Sequence, residues 1–333
     1  MNIRNKILLL CTVFCILFGV QNVQAQQYKT YEGFEYSYNS SKDCIYIMKY
    51  VGTQEYVTVP ASIEGKEVRY LSDAFKNNTT IKKVELPNNL VDIGRFTGCT
   101  SLEEIQIPNK VKKLRTYAFY GCKSLKNVQF SEGLLEIGDY AFARCEGLKE
   151  VIIPNTVTSS GRGVFSNCIN LQKVVLSQNE DNINMRAFYN CKNLTTITFS
   201  KKLYWIRHEA FVGCKALQKI NLPSKMAFIE DYAFHDCGLT EIKLPKNVNT
   251  LGEGVFSDCK KLKKIVIKSK KIDTWRGLDD HVPEDEHEEE ELKDLVFYNI
   301  HKKAVFDVPN SCIKKYKKWL KETGSYKKTM KVK

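Results

Sequence analysis

The chain is 333 residues long, with 51 Lys and Arg against 38 Asp and Glu and a formal net charge of +13. Its first apolar run, Ile7 to Val20, covers about fourteen residues, short of the roughly twenty that span a bilayer, and no second run follows, so no transmembrane anchor is expected. The basic excess favours anionic partners such as acidic polysaccharide, lipid headgroups or extracellular nucleic acid, or serves solubility alone, and no specific nucleic-acid motif accompanies it.

Residues 1–25 read as an export signal: Arg4 and Lys6 precede the apolar run, and Val23-Gln24-Ala25 supplies a small-residue cleavage site. Cys11 follows Leu10 and Cys15 follows Phe14, so neither suits lipid attachment, and the mature chain is expected to start at Gln26. Residues 26–67 alternate aromatic and polar positions, which predicts a β-rich N-terminal cap with Phe34, Tyr36, Tyr38, Ile45, Ile47, Val57 and Val59 facing inward. A stack of repeats needs such a cover over its first apolar coil.

Residues 68–268 are built on one recurring unit, clearest in IGDYAFARCEGLKEVIIP from Ile137 to Pro154. Phe75, Phe96, Phe119, Phe142, Phe165, Phe188, Phe211, Phe234 and Phe256 recur at intervals of 21, then six times 23, then 22. Three residues after each comes Cys, from Cys99 to Cys259, with Asn78 in the first unit. A Leu or Ile follows, then an apolar pair such as Val151 and Ile153, and often Pro. An apolar-x-apolar pair puts two side chains on one face of a short strand. One unit cannot close a core, but stacked units bury Phe, Leu, Ile and the small Ala before the Phe in one interior.

The pattern IGxxAFxxCxxLxxIxLP resembles the BspA-like type of leucine-rich repeat, over about Val68 to Lys268. The leading segment around Tyr50-Val51-Gly52 and the tail VFDVPNSCIKKYKKWLKETGS resemble that family's caps. The resemblance implies a leucine-rich-repeat solenoid of about nine 23-residue coils with a parallel β-sheet on the concave face. It also implies a secreted or cell-surface bacterial protein, generally an adhesin or host-interacting protein, with the periplasm left open. Two units depart from the pattern: DIGRFTGC is short before Phe96, and Ser160 stands where Ile is usual. The apolar pair persists in both, so the stack should continue through them.

After Ile267 the rhythm stops. Residues 269–299 are expected to form an exposed acidic insertion, with ten acids against Lys293 in residues 279–294, and residues 300–333 a C-terminal cap. Within the cap, Ile313, Tyr316, Trp319 and Leu320 predict an amphipathic helix with a basic outer face of Lys314, Lys315, Lys317, Lys318 and Lys321.

The chemistry-bearing residues are more easily given structural roles. The Cys row is spaced along a stack rather than gathered at a point, which predicts buried free thiols, not a metal site. His281 and His287 lie among carboxylates without the fixed spacing of a calcium loop. No GxSxG, HExxH or phosphate-binding loop occurs, and His208 and His235 sit in turns, so no catalytic residue, metal or cofactor is assigned.

Strand alternation instead predicts a binding face made of two outward rows. One comprises Lys83, Glu104, Asn127, Glu150, Lys173, Thr196 and Lys219; the other comprises Glu85, Gln106, Gln129, Ile152, Val175, Thr198 and Asn221. Ile152 and Val175 interrupt a polar ribbon with apolar groups, which points to contact with a macromolecule. The expected function is adhesin-like recognition of a host or matrix protein through this sheet. A glycan or anionic polymer bound at the lysine-rich surface, and a structural envelope role, are the alternatives.

Overall fold

The computed structural model describes residues 28–274 and 295–333. The expected export signal and the acid-rich run 279–294 lie outside the described residues.

The chain begins as an antiparallel meander, Lys29–Tyr31, Phe34–Asn39 and Cys44–Tyr50, to which Lys66–Leu71 adds in parallel. Phe34, Tyr36, Ile45 and Ile47 are buried as the alternation requires. Tyr38 corrects the expectation: it is 50% exposed, its hydroxyl donating to Asp43 Oδ1 at 2.6 Å and Lys66 lying over its ring. Alternation keeps Tyr38 on the face of Phe34 and Tyr36, but it stands near the end of the strand beside the turn that leads to Cys44, where its ring is left in solvent. The cap merges with the repeats, since Tyr56–Thr58 pairs in parallel with Lys83–Glu85 and Tyr70 bridges to Asp92.

Behind the cap the coils stack with their phenylalanine rings in one file. From Phe75 to Phe256 successive rings lie 5.0–5.8 Å apart and nearly parallel. From Phe96 onward each sits in a turn flanked by two left-handed residues, as Tyr140 and Arg144 flank Phe142 at φ 52° and 59°. Gly, Asn or Asp often takes the second of these places, where positive φ costs them little. Each ladder Cys is buried and unbridged, its thiol donating to the preceding coil's Phe carbonyl, as Cys168 does to Phe142 at 3.1 Å. Burial pushes the Cys168 thiol up to about 12, so it stays protonated at neutral pH.

Two ladders of strands run along the stack. The longer strands form three parallel groups: Tyr56–Thr58 to Asn127–Gln129, Glu150–Ile152 to Thr196–Thr198, and Glu241–Leu244 to Lys331–Val332. A second ladder, not anticipated from the pattern, is made of two-residue strands such as Glu136–Ile137 and Trp205–Ile206. Its second residues, among them Ile137, Ile183, Ile206 and Ile229, point into the core.

The stack does not stop at residue 268. Asp273–Thr274 continues the second ladder, Phe297 stacks on Phe256 at 5.2 Å, and Val305–Asp307 pairs with Lys264–Ile267. Residues 269–299 therefore contain parts of a tenth coil. Leu251 precedes Phe256 by five residues, whereas its partner Thr274 precedes Phe297 by twenty-three, so the acidic run is inserted inside that coil. The helix Ile313–Glu322 closes the stack, setting Trp319 edge-on to Phe297 and donating a hydrogen bond from the Tyr316 hydroxyl to Ser269 O at 2.8 Å.

Candidate functional site

The two outward rows lie where strand alternation places them. Glu85, Gln106, Asn127, Gln129, Glu150, Ile152, Lys173, Thr196 and Thr198 are exposed on paired strands. Lys83, Glu104 and Val175 are only half-exposed. Lys219 and Asn221 are exposed, but their segment forms no strand. Ile152, at 60% exposure, is the largest aliphatic break in this face, and Val175 beside it is partly covered.

The charges on the face are largely matched between neighbouring coils. Lys83 Nζ lies 2.9 Å from Glu104, Lys173 2.6 Å from Glu150, and Lys264 3.2 Å from Glu241. Glu104 raises the Lys83 ammonium pKa, and Lys264 lowers that of Glu241. Such exposed pairs hold one another while remaining in water, and each contributes little to stability. The face therefore offers a ligand few uncompensated charges, and Ile152 stands out by contrast.

Aromatic residues open this face at two places. Phe130 and Phe199 occupy the second inward position, which Leu or Ile fills in the other coils. Each lies edge-on, at 82°, to the file ring of the next coil, Phe142 and Phe211 respectively. A ring is too wide for a slot set by strand spacing. After each one the pairing to the next coil is interrupted: Asn127–Gln129 does not reach Glu150–Ile152, nor Thr196–Thr198 the segment 219–222, which does not pair with Glu241–Leu244 either. Val128 and Ile197, the inward residues beside these gaps, are only partly buried, unlike Val151 and Val174. A groove of about 740 Å³ lies at the first gap, with Asn127 and Glu150 on its opposite sides and Lys126, Glu146 and Lys149 around it.

The basic helix is separate from this face in the chain and at the end of the stack. Lys314, Lys315, Lys317, Lys318 and Lys321 are all exposed, Lys318 pairing with Glu322 at 3.5 Å. No group of three or more His, Cys, Asp and Glu able to hold a metal occurs among the described residues.

The histidines belong to local networks. His208 Nε2 lies 3.5 Å from Glu209, which also accepts from Arg186; His208 and Arg186 pull the Glu209 carboxyl down to about 2, and Glu209 in turn raises the His208 pKa. His235 Nδ1 lies 2.7 Å from Ser257 Oγ, superficially a nucleophile and base. Ser257 is buried, however, and shares its hydroxyl with Gly254 O at 2.7 Å. Asp258 approaches the same Nδ1, at 4.0 Å, and not the opposite ring nitrogen, where the orienting group of a catalytic triad would stand.

The outward side of the short-strand ladder was missed from the sequence. Tyr204, Trp205 and Phe228 cluster there, with ring centroids 5.5–6.4 Å apart. The signal was available in LYWIRH, where Leu203 and Ile206 face inward and leave Tyr204 and Trp205 outside.

Parallel coils, a file of stacked rings, two strand ladders and a polar outer sheet together define a leucine-rich-repeat scaffold. The chain belongs to the family described as the BspA type leucine-rich repeat region, whose model matches residues 70–195 and 181–275. It is similar to a leucine-rich repeat protein from Bacteroides ovatus ATCC 8483, at 25% identity and TM-score 0.72, covering 84% of this chain and 71% of that one. It is also similar to the T. pallidum leucine-rich repeat protein, at 31% identity and TM-score 0.54, covering 58% and 92%. Comparison with curated proteins gives no match. Proteins of this repeat type are typically bacterial surface proteins, often engaged in binding. No helix among the described residues is long and apolar enough to cross a membrane.

Proposed function

We propose that this is an exported, non-enzymatic, adhesin-like protein that recognises a host or extracellular-matrix protein through its long-strand face. The observation that carries this reading is Ile152, an aliphatic side chain 60% exposed on a mostly polar face and beside a paired Glu150 and Lys173. An apolar anchor ringed by satisfied polar groups is the arrangement that concentrates binding energy at protein interfaces. The signal-like features of residues 1–25 and the surface location typical of the family support the exported part of this reading.

The test is capture of the mature protein on immobilised extracellular-matrix proteins, with the producer's own envelope fraction as a second arm. Ile152→Asp should reduce matrix capture at least tenfold. Unchanged capture by that variant sinks the surface assignment, and capture by the envelope alone favours a structural role.

The five exposed helix lysines support a second reading, a glycan or anionic polymer held at the C-terminal end. Its binding would weaken steeply with salt. Lys314→Glu/Lys317→Glu would abolish that binding while leaving matrix capture intact.

A further inference from the structure

We infer that the outward side of the short-strand ladder carries a separate carbohydrate site around Tyr204, for an oligosaccharide bearing carboxylates. The first outward positions of this ladder are polar: Lys113, Glu136, Ser159 and Asn182. The next two are Trp205 and Phe228, and then Thr250 restores polarity. Tyr204 adds a third ring, 6.1 Å from Trp205 and 6.4 Å from Phe228. The rings are concentrated in two adjacent coils.

Tyr204 is 37% exposed, and Trp205 and Phe228 are half-buried with it. The Arg207 guanidinium lies over the indole at 4.2 Å, which fixes the platform through a cation–π contact. Tyr204 also lines a groove of about 650 Å³ with Asp181, Lys202, Lys225, Asn247 and Asn249.

The combination is chemically specific. A flat ring presents a surface to the C–H face of a pyranose, while amides, a carboxylate and ammonium groups match its hydroxyls. Charge selects among sugars. Lys202 and Lys225, the groove's two cations, form no ion pair among the described residues, whereas Asp181 is its one carboxylate. Lys202 is held by Asn179 Oδ1 at 2.6 Å, a neutral partner that leaves its charge uncompensated. Two cations against one anion complement a uronic acid rather than a neutral sugar.

The mature protein would be titrated with hyaluronan hexasaccharide, maltohexaose and inorganic polyphosphate by calorimetry and tryptophan emission. The hyaluronan fragment should bind at least tenfold more tightly than either competitor and change the emission of Trp205. Tyr204→Ala should weaken it at least tenfold, and Lys225→Gln about threefold with a shallower salt dependence. Ile152→Asp, on the other ladder, should leave this binding unchanged, so failure here is distinguishable from failure of the matrix-binding reading. No binding of the hexasaccharide, equal binding of maltohexaose, or preference for polyphosphate overturns the proposal. Should Tyr204→Ala fail to fold, Tyr204→Ser and Lys225→Glu carry the test, and full retention of affinity in both overturns it.

Discussion

The ammonium of Lys173 lies 2.6 Å from the carboxylate of Glu150 on the adjacent strand, so two charges assigned to ligand contact are matched to each other. Both side chains are about half exposed, and the pair is expected to contribute less than about 1 kcal/mol. Lys173→Glu would place two carboxylates side by side at this register and lower stability modestly. The exchange Glu150→Lys/Lys173→Glu would restore it. If ligand contact depends on Ile152 rather than on these charges, matrix capture should survive the exchange and be lost in Ile152→Asp; the reverse order in a capture assay would reassign the contact.

Glu180 gives the stack a pH dependence. It occupies a core column otherwise filled by Leu134, Val157, Leu203, Met226 and Val248, next to the coil in which Ser160 replaces Ile. Glu180 Oε2 has no hydrogen-bond partner among the described residues. Burial pushes the carboxyl from 4.5 up to about 7, opposed by the nearby Ser160. The folded state therefore binds the proton more tightly than the unfolded chain. Stability is greatest below about pH 4.5 for this group and falls as pH rises to 7, by roughly 3 kcal/mol. In Glu180→Gln that slope should vanish from urea-unfolding midpoints, and Glu180→Leu/Ser160→Ile should raise the midpoint at pH 7.5.

The wedge rings have a measurable consequence. Phe130→Leu would let Asn127–Gln129 approach Glu150–Ile152 and close the ladder. Hydrogen exchange at the Glu150 and Ile152 amides should slow in the variant, because those donors gain partners. Unaltered exchange would mean that Phe130 does not hold the gap open.

For the thiol row, packing and a hydrogen bond account for each Cys. None of the eight ladder thiols, Cys99 to Cys259, should react with a thiol reagent in the native protein, and all should react after denaturation. Cys168→Ser retains a donor to the Phe142 carbonyl and should cost about 1 kcal/mol. Cys168→Leu overfills a closed turn and should cost about 1–3 kcal/mol in chemical unfolding.

Phe142→Ala would open the file between Phe119 and Phe165, each of which stacks on it. The expected loss is about 3–5 kcal/mol. It should also split the unfolding transition, because each coil is stabilised only by its neighbours.

Much of this protein is determined by the sequence alone, because a solenoid repeats one local problem. The 23-residue spacing of Phe119 to Phe234 establishes which ring meets which, and the apolar pair at Val151 and Ile153 establishes which side of the strand is outside. Caps were legible from the need to cover the terminal coils. Tertiary structure decided what periodicity averages away. Phe297 resumes the file although an insertion separates it from Phe256, because ring stacking acts through space and is indifferent to the chain between. Phe130 reads as one more apolar residue until its width is set against the strand spacing. Glu180 reads as polar until its column is seen to be core. Glu150 and Lys173 read as free charges until the register places them opposite each other, and that register exists only once the coils have stacked.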